Sequence, residues 1–194
     1  MTDYDTYLQD QIDDTLGSEY LTIENYCKDL IKITGLTIKD QKILDLGCRE
    51  FHSYQFFKEA FHLEITGIDV GKDGHEYAHK LGRPSIYCDA HDMSMFEDES
   101  FDVVMATHVF EHMFDLTKVI GECKRILKPG GFLYVAVPFP CENLHKGHWQ
   151  EIKDMETFKE NFKEWEIINE QLSLPGDERN IKGQGEIFIC AKKI

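Results

Sequence analysis

Three acidic residues, Asp45, Asp69 and Asp89, each close an apolar stretch, and their spacing suits a nucleotide-like ligand. Asp69 ends Gly67-Ile68-Asp69 and stands 22 residues beyond Gly47. An acid at that distance from a glycine turn accepts hydrogen bonds from a ribose diol. Asp89 is followed by Ala90, so its carboxylate can take an adenine amino group while the small neighbour leaves room for the ring. Asp45 opens the turn itself, Asp45-Leu46-Gly47-Cys48-Arg49-Glu50-Phe51. Three carboxylates converging on one ligand would repel a pyrophosphate and tolerate a positively charged sulfonium. Singly, each acid has a plainer use as a turn cap or a solvated loop charge, so the pattern rests on all three.

The chain also has nine histidines. His108-Val109-Phe110-Glu111-His112 matches His-x-x-Glu-His, in which two zinc ligands and a general base share one helical face. That chemistry, a zinc metallopeptidase, needs a helix at the motif. Here the motif begins where an apolar run ends, so the two histidines are not expected on one face and no metal ligand is assigned. His75 and His79 also stand four apart, on a helix face with no acid or cysteine placed to complete a site.

These residues need elements to position them. Apolar runs at 42–46, 64–69, 85–88, 101–107 and 132–137 predict strands, and helical or loop stretches at 53–61, 74–81 and 90–96 separate the first four. Tyr20, Ile23, Cys27, Leu30 and Ile31 recur at helical spacing until Thr34-Gly35. Leu116, Val119, Ile120, Cys123, Ile126 and Leu127 line one face of a second clear helix. Asp115 suits its N-cap, and Lys128-Pro129-Gly130-Gly131 its end. A helix at 154–163, a strand at 165–171, a turn-rich loop at 175–185 and a strand at 186–192 complete the chain. Near-continuous apolar strands alternating with helices predict an α/β fold. The expected form is a Rossmann-like, mostly parallel seven-stranded sheet with helices on both faces and one antiparallel C-terminal strand at or near the edge. In such sheets ligands bind beyond the carboxyl ends of the strands, which is where the acids and the glycine turn fall.

Five motifs carry a resemblance. Ile43-Leu44-Asp45-Leu46-Gly47-Cys48, Gly67-Ile68-Asp69, Asp89-Ala90, Ser100-Phe101-Asp102-Val103-Val104 and HVFEHMFDLTKVIGECKRILKPGGFLYVAVP (His108 to Pro138) resemble, in order and spacing, those of class I S-adenosylmethionine-dependent methyltransferases. The resemblance implies S-adenosylmethionine as cofactor and one globular methyltransferase domain at 41–194. Residues 1–40, with Tyr4, Tyr7, Tyr20 and Tyr26, would supply a helical lid. Asp45 and Gly47 would border the methionine part of the cofactor, with Cys48, Arg49 and Val70 alongside. Asp69 would bind the ribose, Asp89 and Ala90 the adenine, and Thr107 would sit beside the transferring methyl. His108, His112 and His148 follow the fourth and fifth strands, on the acceptor side. A histidine there acts as general base when an oxygen or a protonated nitrogen attacks, or else satisfies loop backbone or packs on Trp149. With no large inserted domain, the implied acceptor is a small or sugar-like molecule methylated at O or N.

One departure stands out. The family turn usually continues Gly-Cys-Gly-x-Gly, and Arg49 and Phe51 replace both later glycines. A non-glycine residue held at positive φ costs about 1–3 kcal/mol. Arg49 either pairs with the cofactor's carboxylate or remains a solvated loop charge. The altered turn raises the alternative of a methyltransferase-like protein that binds without catalysing.

Composition narrows the partners. The 194 residues are 42% hydrophobic and 29% charged, with a formal net charge of -15. That balance disfavours a nucleic-acid partner, which needs a basic face, and an anionic membrane surface for the same reason. The six cysteines are scattered without a Cys-x-x-Cys pair, as buried free thiols in a reducing compartment are. The first basic residue is Lys28 and no apolar run is long enough to span a bilayer, so a cytoplasmic location is expected. Nothing in the sequence specifies an oligomeric state.

Overall fold

The computed structural model of the chain describes residues 20–35, 41–140, 147–174 and 185–194. Helix α1 (Tyr20–Thr34) precedes β1 (Lys42–Leu46). Helix α2 (His52–Tyr54) and a π-helical segment (Gln55–Ala60) lead to β2 (Glu64–Asp69), and α3 (Lys72–Lys80) leads to β3 (Ser85–Tyr87). Next come β4 (Phe101–Thr107), a 3-10 turn (Phe110–His112), α4 (Leu116–Ile126) and β5 (Leu127–Phe139). Helix α5 (Met155–Lys159), a second 3-10 turn (Glu160–Phe162), β6 (Trp165–Ser173) and β7 (Gly185–Lys193) close the chain.

The strands form one sheet in the order β3-β2-β1-β4-β5-β7-β6. β1 pairs in parallel with β2 and β4, β2 with β3, and β4 with β5, while β7 runs antiparallel between β5 and β6. The expected antiparallel strand is therefore one place in from the edge. Strand order reverses between β1 and β4, which opens a crevice at their carboxyl ends.

Alternate strand residues go to opposite faces. Ile43, Val103, Met105, Tyr134 and Ala136 pack with Tyr26, Cys27 and Leu30 of α1. Leu44, Val104, Ala106, Leu133 and Val135 pack with Leu116, Val119, Ile120, Cys123 and Ile126 of α4. This two-sided burial is why β1, β4 and β5 read as near-continuous apolar runs. Each fully buried Leu, Ile or Val there contributes roughly 1.5–3 kcal/mol. The helix ends follow their local chemistry. Asp115 Oδ1 accepts from Lys118 N at 3.0 Å and caps α4, and Gly35, at φ 63, donates to Ile31 O at 3.0 Å and ends α1.

Two stretches that read as helical or loop take a definite form, and one strand starts earlier than the sequence predicts. The stretch at 53–61 is a short α-helix continued by a π segment, in which Phe57 enters the α1-side core and Phe56 stacks on Phe61 at 4.8 Å. Residues 90–96 form turns, held by Asp92 N to Asp89 O at 3.0 Å and Phe96 N to Met93 O at 2.9 Å. β5 starts at Leu127 because Leu127 already pairs with Phe101 before Lys128-Pro129-Gly130-Gly131 bulges out and pairing resumes at Val103 with Phe132. A Cβ on Gly131 would stand 2.9 Å from Asp102 O, so only glycine passes there. Of the expected lid, α1 is described and lies on the core, while Tyr4 and Tyr7 fall outside the described residues. No helix among the described residues is long and apolar enough to cross a membrane.

Candidate functional site

The turn after β1 keeps a glycine-type path with one glycine. Gly47, Arg49 and Phe51 have φ of 73, 44 and 54, so both replaced glycines hold the left-handed conformation that L-residues rarely adopt. Gly47 is dictated by space, since a Cβ there would lie 1.9 Å from Val109 Cγ2. Its N–H and that of Cys48 both donate to Ile68 O, at 2.9 and 3.0 Å. Arg49 N–H donates to Asp69 Oδ2 at 2.7 Å, fixing the loop to the end of β2. Glycines elsewhere make room for the substitutions. A Cβ on Gly67 would meet Phe51 Cε2 at 2.7 Å and Cys48 Sγ at 2.8 Å, and one on Gly74 of α3 would stand 3.2 Å from Arg49 Cα. Phe51 is wholly buried under the loop, against Cys48 and Ala78.

The acids fall into two kinds. Asp69 faces the cleft, with Oδ1 accepting from Gly71 N at 2.5 Å and Oδ2 from Arg49 N. Asp89 also faces the cleft, and its Oδ1 accepts from His91 N at 2.9 Å and lies 2.7 Å from His91 Nδ1. His91 is buried and its Nε2 accepts from Asp115 N at 3.1 Å, which leaves the proton on Nδ1 and directs it at Asp89. His91 thus aims Asp89 and ties this cleft-facing acid to the cap of α4; its signal in the sequence was a histidine two residues after Asp89. Asp45 is buried instead, accepting from Ser53 Oγ. Burial pushes its carboxyl up to about 7, the Ser53 hydrogen bond opposing and the Asp69 charge adding to the rise.

Gly47, Arg49, Asp69, Val70, Asp89, Ala90, His108 and His112 line one cleft at the carboxyl ends of β1, β2 and β4. Cys48 instead points beneath the loop, where burial raises its thiol well above the ordinary range. Thr107 is buried at the end of β4, paired with Ala136. His148 stands against His112, ring centroids 4.7 Å apart.

The histidines after β4 are separately anchored. His108, at φ 53, donates its N–H to Ala136 O at 2.8 Å. Its Nε2 lies 2.5 Å from Glu186 Oε1 and 2.9 Å from Tyr26 Oη, and Tyr26 also donates to Glu186. Tyr26 comes from α1 and Glu186 from β7, so no local pattern could have joined them. His112 Nδ1 lies 2.9 Å from Gly147 O. Because His108 precedes the 3-10 turn at Phe110–His112, the two histidines of the His-x-x-Glu-His pattern share no helical face.

Known proteins resemble this chain in sequence and in fold. The family described as "Methyltransferase domain" matches residues 44–135. A demethylmenaquinone methyltransferase of Thermotoga maritima is 34% identical over 54% of this chain and 47% of its own length. A ubiquinone biosynthesis O-methyltransferase of Proteus mirabilis is 26% identical over 73% of this chain and 63% of its own. The chain thus spans about half the length of the first of these relatives. Among solved structures, phosphoethanolamine N-methyltransferase 2 of Haemonchus contortus in complex with S-adenosyl-L-methionine superposes with a TM-score of 0.71 at 16% identity, over 87% of this chain and 52% of that one.

Proposed function

The chain carries a class I S-adenosylmethionine-dependent methyltransferase domain, and from that premise we propose that it transfers the cofactor's methyl group to an oxygen or nitrogen of a small-molecule acceptor. One observation carries the reading: Asp69 and Asp89 face a single cleft beside the Gly47 turn. The donor set fits the cofactor, since ribose hydroxyls and an adenine amino group are hydrogen-bond donors and the cleft offers carboxylate acceptors. Arg49 supplies a cation on the methionine side. When bound, the cofactor supplies a methyl group on a positively charged sulfur, open to in-line displacement.

The chain's own residues do the rest. Asp69 is held by two backbone donors and Asp89 by His91, so both acceptors are preorganised. With Nε2 engaged by the Glu186 carboxylate, His108 keeps its proton there and presents Nδ1 as base, the Glu186–Tyr26 pair holding its tautomer. An acceptor hydroxyl can give up its proton to that nitrogen as it attacks. The relative named as a ubiquinone biosynthesis O-methyltransferase fits an oxygen as acceptor, and His112 and His148 border the same mouth.

Calorimetry with S-adenosylmethionine, together with a search for the cofactor or its demethylated product in purified protein, tests the reading. No heat at millimolar ligand would sink it. A second reading, binding without catalysis, is favoured by the left-handed Arg49 and Phe51; cofactor binding without methyl transfer to any oxygen acceptor would support it. His108→Asn should lower kcat by about 10²–10⁴ while cofactor affinity stays within a few-fold. An unchanged kcat would remove His108 from the reaction.

A further inference from the structure

We infer that Glu111, His112 and His148 form a binding site for a divalent d-block cation of the zinc type, at the mouth of the cleft. One ligand atom from each residue lies within 4.8 Å of the others. Zinc takes this mixture of imidazole nitrogen and carboxylate oxygen, with three protein ligands and an open fourth position. His112 Nε2 stands 3.8 Å from Glu111 Oε1. Two ligands about 2.1 Å from a tetrahedral ion lie about 3.4 Å apart, so a small side-chain adjustment closes the site.

Two further observations point to an ion. Glu111 is 1% exposed, and among the described residues its Oε2 has no hydrogen-bond partner. A carboxylate oxygen buried in that way is unfavourable unless a cation or a donor meets it. The second observation is the tautomer of His112. Its Nδ1 faces the Gly147 carbonyl at 2.9 Å and must carry the proton, so Nε2 presents its lone pair on the Glu111 side. An outer hydrogen bond of this kind is how a metal-ligating imidazole is oriented.

The segment bearing His148 is held on the same turn. Trp149 N and Gln150 N donate to Glu111 O at 2.8 and 3.0 Å, and Gln150 Nε2 donates to Met113 O at 2.6 Å. The His-x-x-Glu-His pattern is therefore divided. Its Glu111 and His112 belong to the ion site, the third ligand arrives from beyond β5, and His108 is held by Glu186 and Tyr26. His112 also lines the cofactor cleft, so the ion's open position faces the acceptor, and the acceptor class it selects is an oxygen donor. That selective role rests on the methyl-transfer reading; ion binding itself does not.

Titration of Zn2+ into the metal-free chain by calorimetry, and of Co2+ by visible absorption, tests the site. One equivalent should bind, and cobalt should show ligand-field bands of nitrogen and oxygen coordination without a thiolate charge-transfer band. His148→Ala and Glu111→Gln should each weaken Zn2+ binding by at least about a hundredfold, while His79→Ala, which breaks the His75–His79 pair, should leave it unchanged. Circular dichroism and S-adenosylhomocysteine binding establish that each variant is folded. Unchanged Zn2+ affinity in both site variants, loss of binding in His79→Ala, or a thiolate band would overturn the proposal. Zn2+ binding in a chain that takes no S-adenosylmethionine would retain the ion site and end the methyl-transfer reading.

Discussion

Asp45 lies buried at the end of β1 with a carboxyl raised to about 7 from an ordinary 3.8, burial being the main cause. A folded-state value above the unfolded one means that the native chain binds more protons between about pH 4 and 7. Stability therefore falls as pH rises through that window and levels off above about 7, a swing on the order of 4 kcal/mol. Asp45→Asn should flatten this slope, and urea unfolding of both proteins at pH 5 and pH 8 measures it; parallel slopes would contradict the burial argument. Arg49 and Phe51 make a second residue-scale prediction, in opposite directions. Arg49→Gly relieves a left-handed side chain and should stabilise the chain by up to about 1 kcal/mol after the added unfolded-state entropy. The same variant should bind S-adenosylmethionine about tenfold more weakly if the guanidinium pairs with the cofactor carboxylate. Phe51→Gly relieves the same strain but empties a fully buried site, so it should cost roughly 3 kcal/mol or more. Thermal and denaturant melts separate the two residues.

At the scale of elements, the β1–α2 turn, β2 and α3 are fitted to one another through side-chain absence. Gly67 of β2 leaves the space that Phe51 fills, so Gly67→Ala alone should destabilise by about 1–3 kcal/mol. Combined with Phe51→Ala, the same substitution should cost much less, giving a coupling of about 1 kcal/mol or more in a double-mutant cycle. Additive effects would show that the ring does not sit where the Gly67 Cβ would be. The same contrast explains what was legible in the sequence. The two-sided apolar strands, the Asp115 cap and the order of motifs before Asp69 and Asp89 are local patterns, so the sheet and the position of these two acids at the strand ends could be read directly. The compensation of Phe51 by Gly67 is a contact between separate elements and left no local trace. Nor did the meeting of Tyr26, His108 and Glu186, or of His148 with Glu111, which depends on how α1, β7 and the loop after β5 return to the end of β4. Likewise, the bulge at Gly130-Gly131 reads as a helix stop until Leu127 is seen to pair with Phe101.

At the scale of the whole molecule, a net charge of -15 surrounds a cleft lined by Asp69 and Asp89, with Asp45 buried just behind it. Low-dielectric walls focus such a field onto the ligand. S-adenosylmethionine carries one more positive charge than S-adenosylhomocysteine, so the field should favour the methyl donor over the demethylated product by an electrostatic factor. That factor is screened by salt, with a Debye length of about 10 Å at 0.1 M. Raising salt from about 0.02 M to about 0.5 M should therefore weaken S-adenosylmethionine binding several-fold while changing S-adenosylhomocysteine binding much less. Parallel calorimetric titrations of the two ligands at each salt concentration measure the ratio directly. A ratio independent of salt would mean that the acids act only through their hydrogen bonds. A ratio that falls with salt would link the acidic composition to turnover, since loss of the methyl group removes the charge that holds the ligand and so favours release of the product.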